Sequence, residues 1–514
     1  MFAPSAPDLP APSLYALSQR LARERPDAPA LRWQDPSSGE RTDWTFGRLL
    51  EVADALAAAF AARGVGPGDR LAWLGLSHPS MIAALFGLAR LGAVLVPLNH
   101  RLAPAEWAAV LADCGPRLLV FDAAHAAAAQ PLCASPGQPL PLPLATLPTT
   151  ASAGTAPAPR DGLADAPALL VYTSGTTGTP KAAVHTQRNL LANMAIAAQV
   201  QGMTASDTVL TVLPLFHVGG LCIQTLPALS VGATVLLHAR FDPTATLRTI
   251  AQERPSLTLQ VPATLQALTA HADWASTDLS CLRAVWAGSS LLPPEPLQAF
   301  LARGVPVSNV YGSTETGPFS IALSPEHSAS HLGSCGWPAP GVEVRLLDAR
   351  GDEVPPGQVG EIAVRAPNVV ASYWPDKPAL DAEGFFRSGD LARQAGDGSF
   401  TVVGRAKDMI ISGGENIYPA EIENLIATHP AVAECSVVGQ ADPRWGEVAV
   451  AVVVLRDAQA GDDWDAPLRA YLDGRLARYK WPRRWVRLET LPRTALGKVQ
   501  KAALKALLET PAPN

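Results

Sequence analysis

A chain of 514 residues is too long for one ordinary core, so two or more domains are expected. Hydrophobic residues make up 48% and charged residues 17%, which excludes a disordered chain and points to a soluble globular one. A net charge of −6 gives no general electrostatic reason to bind nucleic acid, and six cysteines without a C-x-x-C pair argue against structural zinc and a disulfide framework.

The N-terminal stretch has no charged region followed by an apolar one, so a secretory signal is not expected. Leu14–Glu24 reads as a short amphipathic helix. From 45 to 122 helical and strand patterns alternate: helices at 45–63, 81–91 and 104–113, strands at 70–75, 93–98 and 116–122. Strands separated by helices of this length imply βαβ units and a parallel sheet. No apolar run reaches the roughly 18 residues of a spanning helix; 83–95 comes nearest and Arg90 interrupts it. Residues 130–165, rich in Pro, Ala, Thr and Ser, read as a surface loop.

That loop delivers the chain to an apolar strand, 166–172, which breaks into Thr173, Ser174, Gly175, Thr176, Thr177, Gly178, Thr179, Pro180 and Lys181 before the helix Gln187–Val200. A donor-rich loop between strand and helix suits phosphate. The glycines let the backbone approach, the hydroxyls donate, and Lys181 adds a point charge. The Walker pattern fails, because Pro180 and Ala182 stand where its second Gly and its hydroxyl belong. A solvated Ser/Thr linker is the alternative reading.

Further βα patterns follow: strands at 208–213, 234–237 and 256–260, and a helix at 243–254. His217 stands between a strand and two glycines, where a lone His is more often structural. Residues 282–290 read as a strand ending in the small residues Ala287, Gly288 and Ser289, and 307–317 carries Tyr311-Gly-Ser-Thr314-Glu315. After 333 the texture changes to short alternating strands at 342–347, 360–364 and 399–403, which suggests an antiparallel subdomain. Arg387-Ser-Gly-Asp390 lies among them, and the long stretch from Gly404 to Glu423 follows. Glu421 opens a helix, where a carboxylate is favourable without any further role. The last hundred residues read as a compact α/β unit, with helices at 420–428 and 466–477 and strands at 435–439, 448–455 and 485–488. It ends in Pro492-Arg-Thr-Ala-Leu-Gly-Lys498-Val-Gln-Lys501.

These motifs, taken in order from 171 to 501, resemble the adenylate-forming superfamily of acyl-CoA synthetases, aryl-CoA ligases, luciferases and adenylation domains. The resemblance implies an α/β fold with a large N-terminal domain of parallel βαβ sheets and a small antiparallel β-subdomain. A smaller mobile α/β C-terminal domain would complete it, with bounds 1–404, a hinge at 405–407 and 408–514. It also implies residue roles. Thr173 to Gly178 and Lys181 would hold the triphosphate, Ala287, Gly288 and Ser289 would line the adenine, and Tyr311 would stack on it. Thr314 would donate to the α-phosphate, Glu315 would bind Mg²⁺, Asp390 would take the ribose hydroxyls, and Arg405 would reach ribose or phosphate. The family motif carries Thr where Ser388 stands. Lys407 would be the hinge residue and Lys498 the catalytic lysine.

The implied reaction joins a carboxylic acid to ATP as acyl-AMP and then to coenzyme A. Gly413, Gly414, Trp445, Tyr479 and Arg483 would contact CoA, although Trp481 departs from the basic residue of some relatives. His217, Val218, Gly219, Leu259, Trp286 and Phe319 would line the acyl pocket, within segments 218–224, 259–264, 285–286 and 319–321. These are mostly apolar, so a hydrophobic monocarboxylate is favoured over a dicarboxylate, with fatty and aryl acids not separated. The alternatives are an enzyme loading a carrier-protein thiol and a non-catalytic binding paralogue; intact Lys498 and Glu315 count against the second. A cytoplasmic location is expected, and homodimer formation stays open.

Overall fold

The computed structural model describes residues 5–150, 157–160, 162–173, 181–288, 292, 294–412, 415–457, 461, 463–494 and 498–509. The chain folds as α/β, with two large mixed sheets, a four-stranded antiparallel sheet and a five-stranded sheet near the C-terminus.

The first large sheet has eight strands, with Arg70–Leu74 parallel to both Val94–Leu98 and Leu118–Phe121. Val94–Leu98 and Leu118–Phe121 are buried along their whole length, as near-continuous apolar runs in a parallel sheet must be. The helices Phe46–Ala61 and Pro79–Leu91 cross so closely that a Cβ on Gly87 would lie 2.6 Å from the Ala53 carbonyl. Thr45 caps the first of them, its Oγ1 accepting from Arg48 N at 3.2 Å.

The second large sheet has nine strands. Thr208–Thr211, Leu257–Gln260, Ala284–Gly288 and Val307–Tyr311 run parallel at its centre. Ligands of such sheets bind beyond the carboxyl ends of the strands. His217, Gln260, Gly288 and Tyr311 all lie at or just past those ends. The antiparallel sheet pairs Glu343–Leu347, Val359–Arg365, Phe386–Gln394 and Phe400–Arg405. The C-terminal sheet is built on the hairpin Val432–Asp442 and Gly446–Leu455, with Arg484–Arg487 parallel to the latter, and has apolar clusters of its own.

Three expectations need correction. The phosphate segment joins two antiparallel strands, Pro167–Thr173 and Lys181–Thr186, and not a strand and a helix. The run from Ala182 to His185 is buried and too short for a helix; Thr186 then caps Gln187–Val200 by accepting from Asn189 N at 3.1 Å. Residues 130–165 are not all loop, because Leu140–Pro143 adds a parallel strand at the sheet edge, where its prolines need no ladder bond. The helix expected over 466–477 stops at Leu472. The strands Pro29–Gln34 and Arg41–Thr45 and the helix Lys501–Glu509 were not foreseen. Among the described residues no helix is long and apolar enough to cross a membrane.

Burial lowers the pKa of His78, His100, His185, His217 and His238 to about 4. All five are therefore neutral in the folded chain at pH 6.5, where unfolded histidine is half protonated. The unfolded state then binds more protons below that pH, so stability is full above about 6.5 and falls as the pH drops toward 4. The expected result is a calorimetric midpoint that declines steadily between pH 7 and 5. A flat midpoint over that interval would mean the rings are not buried as described.

Candidate active site

Asp390 is the fixed point of the site. It is 8% exposed, and both its oxygens are held: Oδ2 accepts from the Tyr311 hydroxyl at 2.9 Å and Oδ1 pairs with Arg405 Nε at 2.8 Å. An ionised carboxylate has about four acceptor positions, so these contacts orient it and leave further positions free. The turn before it is built for this. Gly389 takes φ +72°, and its N–H donates to Glu361 Oε1 at 3.0 Å, while Glu361 also pairs with Arg387. Ser388 Oγ accepts from Asp390 N at 3.1 Å and donates to the Ile362 carbonyl at 2.8 Å. Both bonds use only the hydroxyl, a group that Ser and Thr share. Burial, then Asp390, raises the Tyr311 pKa well above its ordinary value, which keeps the phenol a donor.

Thr314 and Glu315 lie in a single tight turn, Thr314–Thr316, at the end of the same strand. Ser313 N donates to Thr316 Oγ1 at 2.9 Å, and the buried Asn368 amide donates to the Thr316 carbonyl at 2.9 Å and the Phe319 carbonyl at 3.1 Å. Glu315 Oε1 accepts from the Tyr373 hydroxyl at 2.9 Å. Lys181 Nζ stands 5.7 Å from the centre of the Tyr373 ring. Tyr373 thus joins the lysine of the phosphate segment to the carboxylate expected to face the metal. Sequence reasoning missed both Tyr373 and Asn368; the only available signal was the aromatic pair Tyr373-Trp374.

Lys498 reaches the same place from the C-terminal unit. Its pKa is lowered, first by desolvation and then by Arg405, with Asp390 and Glu315 opposing, so all three lie within electrostatic reach. A hairpin holds it: Thr494 N donates to the Lys498 carbonyl at 2.7 Å, and Lys498 N donates to Thr494 Oγ1 at 3.2 Å. His217 is close enough for Lys498 to be the second cause of its lowered pKa, after burial. The His217 Nδ1 accepts from Gly219 N at 3.0 Å, so the proton of the neutral ring sits on Nε2. Gly220 is obligatory at this bend, because a Cβ would lie 2.3 Å from the Pro214 carbonyl.

The acyl segments divide. Val218, Leu259, Trp286 and Phe319 are all buried, and the Trp286 and Phe319 rings pack with centres 6.0 Å apart. Register places Leu259, Trp286 and Ser308 on one face of the sheet and Gln260, Ala287 and Asn309 on the other. Tyr311 shares the second face by the two-residue period of a strand. Leu259 and Trp286 are thus not brought to the face of Ala287 and Tyr311.

Of the residues assigned to CoA, Trp445 and Arg483 meet, the guanidinium 4.4 Å over the ring, with Arg444 at 5.0 Å. Tyr479 is exposed, with Lys480 Nζ at 5.6 Å from its ring. That lysine pairs with Glu421 at 2.7 Å, so Glu421 has a partner beyond its helix. Trp481 lies under Arg478 at 4.2 Å. Lys407 is exposed in the turn Ala406–Asp408. Ser174, Gly175, Thr176, Thr177, Gly178, Ser289, Gly413 and Gly414 lie outside the described residues.

Comparisons with known proteins give likeness over nearly the whole chain. A family model described as AMP-binding enzyme matches residues 18–374, and one for the AMP-binding enzyme C-terminal domain matches 421–498. Indoleacetate–CoA ligase of Aromatoleum aromaticum is 44% identical over 479 residues, covering 91% of this chain and 93% of its own. Feruloyl-CoA synthase of an Amycolatopsis species is 42% identical over 490 residues, covering 95% and 97%. The structure of o-succinylbenzoate CoA synthetase from Bacillus subtilis, in complex with its acyl-adenylate intermediate, superposes with a TM-score of 0.85 at 32% identity, covering 95% and 97%.

Proposed function

The chain belongs to the AMP-binding enzyme family, and from that premise we propose how its residues divide two half-reactions. The enzyme is an AMP-forming acid–thiol ligase that uses ATP and coenzyme A. In the first half a carboxylate oxygen attacks the α-phosphorus of ATP and pyrophosphate leaves. In the second the CoA sulfur attacks the acyl carbon, the bond to AMP breaks, and the thiol proton is lost.

The difficulty in the first half is bringing an anion up to a polyanion. Lys181 and Lys498 supply positive charge from two directions, and Thr314 donates to the α-phosphate as its charge redistributes. Mg²⁺, when bound, neutralises the triphosphate. Glu315 fits that ion, because Mg²⁺ is held by one or two carboxylates together with phosphate oxygens and water. Asp390, held by Tyr311 and Arg405, orients the ribose. The observation that carries this reading is the cluster in which Tyr311 and Arg405 hold Asp390 and Tyr373 holds Glu315 beside Lys181, with Lys498 near enough for Asp390 and Glu315 to act on its charge. Residues 1–404 act as the body, 405–407 as the hinge and 408–514 as a lid that withdraws Lys498 for the second half. Trp445 and Arg483 take the CoA nucleotide. A cytoplasmic enzyme meets both cosubstrates.

The acid in this reading is an aryl monocarboxylate, supported by likeness over nearly the whole chain to ligases named for indoleacetate and ferulate. A panel of acids assayed by AMP release tests it: aryl acids are expected to exceed decanoate and malonate, and a preference for decanoate would replace it with the fatty-acid reading. Ribose recognition has its own test. Asp390→Ala is expected to raise the KM for ATP by about 10-fold or more, the scale of losing charge-assisted hydrogen bonds. Tyr311→Phe, which removes only the orienting hydroxyl, should raise it less. An unchanged KM in Asp390→Ala would take the carboxylate out of the site.

A further inference from the structure

The helix Pro104–Cys114 ends on a carboxylate. Asp113 lies in its last turn, at the negative end of the helix dipole, where a basic side chain is favoured and an acidic one is not. It is on the surface, outside the site described above.

Two aromatic side chains of the first large sheet reach this helix end. The Tyr172 hydroxyl donates to Asp113 Oδ2 at 2.5 Å, the length of a bond to an ionised carboxylate. Trp374 Nε1 donates to the Asp113 carbonyl at 3.1 Å, taking up one of the acceptors that a helix leaves open at its end. Arg70 closes two more: Nε donates to the Cys114 carbonyl at 2.6 Å and Nη2 to that of Gly115 at 2.9 Å. Its guanidinium also lies 5.0 Å over the Trp374 ring. Burial, then Cys114 and Asp113, raises the Tyr172 pKa well above its ordinary value, which keeps the phenol a donor.

The neighbours of these two aromatics face the site. Register pairs Tyr172 with Ala182, Thr173 with Lys181 and Tyr373 with Ala183. By the two-residue period of a strand, Tyr172, Ala182 and Trp374 share one face, and Thr173, Lys181 and Tyr373 share the other. The first set packs in the apolar cluster of Trp107, Leu111 and Cys114, against the helix. In the second, Tyr373 holds Glu315 at 2.9 Å and its ring lies 5.7 Å from Lys181 Nζ. Trp374 N donates to the Ala182 carbonyl at 2.9 Å, which ties the two segments together beside Lys181.

We infer that Asp113 is a positioning residue of the adenylation half-reaction: gripping Tyr172 and Trp374 from behind the sheet, it fixes where Lys181 and Glu315 stand. This rests on the reading above that those two serve the triphosphate and its Mg²⁺. A shift of these strands displaces the lysine and, through Tyr373, the carboxylate together, and catalysis depends on placement to within about 1 Å.

Asp113→Ala and Tyr172→Phe remove one bond from its two ends. Each is expected to lower kcat/KM for ATP in acid-dependent pyrophosphate exchange by about 10-fold. The double variant should lose no more than the worse single one, because the two share that bond. Thioester formation from chemically made acyl-AMP should keep the wild-type rate in all three, since no triphosphate is present. Asp113→Asn, which keeps an acceptor oxygen for the phenol, is expected to retain most of the exchange. A role in folding alone would lower both half-reactions together and overturn the inference, as would additive losses in the double variant. If Asp113→Ala does not fold, Tyr172→Phe decides, and wild-type exchange in it is a refutation. Lys181→Met is measured beside them. Wild-type exchange there would remove Lys181 from the triphosphate and the inference with it, whereas loss there with none in Tyr172→Phe removes only the role of Asp113.

Discussion

Lys498→Ala is expected to slow acyl-adenylate formation by about 10²-fold or more, while thioester formation from chemically made acyl-AMP survives. Lys498 brings positive charge from the C-terminal unit within electrostatic reach of Asp390 and Glu315. A preorganised donor aimed at developing charge is typically worth about 3–4 kcal/mol, which sets the size of the loss. The hairpin should persist, because its bonds to Thr494 use the Lys498 backbone and not the ammonium. In the second half-reaction pyrophosphate has left and the acid is no longer a carboxylate, so the clamp between two anions is not needed, and the proposed lid would carry Lys498 away. Single-turnover kinetics of each half separate the two effects. Equal losses in both would make Lys498 structural, or show that the lid does not move between steps.

Gly312→Ala should be as damaging for a different reason. A Cβ there would lie 1.7 Å from the Pro318 carbonyl oxygen and 2.3 Å from its carbon, both backbone atoms that cannot swing aside. The turn would have to open, carrying with it Tyr311 on one side and Thr314 and Glu315 on the other. A misplacement of about 1 Å at a reacting centre costs on the order of 10²-fold, and overpacking costs about 1–3 kcal/mol of stability besides. Gly396→Ala is the control, since nothing lies within 4 Å of its Cβ position. The measurements are acid-dependent pyrophosphate exchange and the thermal midpoint. If Gly312→Ala matched Gly396→Ala in both, the close approach at Pro318 would be wrong.

Much of this was legible in the residues alone. Leu14–Glu24 and Gln187–Val200 were read at both ends, because apolar periodicity and a Ser or Thr cap are local signals. The nucleotide motifs were legible for a similar reason: glycines, hydroxyls and a charge within ten residues already state a chemistry. Phe386–Gln394 escaped notice as a strand because its centre, Ser388-Gly389-Asp390, looks like a turn, and only pairing on both sides extends it through a positive-φ glycine. Lys181–Thr186 escaped because Ala, Ala and Val fit helix and strand alike until Pro167–Thr173 supplies a ladder.

The sequence by itself determined the kind of chemistry and the residues that bear charge, since these depend on side-chain type and short spacing. Tertiary structure alone decided how they are held. Tyr373 matters because Glu315 lies 58 positions away, and Asn368 because it closes the turn of Thr316 and Phe319 from 52 and 49 positions off. A hydrogen bond is a relation between two groups, and its strength depends on distance, direction and burial. None of those exists for a pair far apart in the chain until the sheets bring it together.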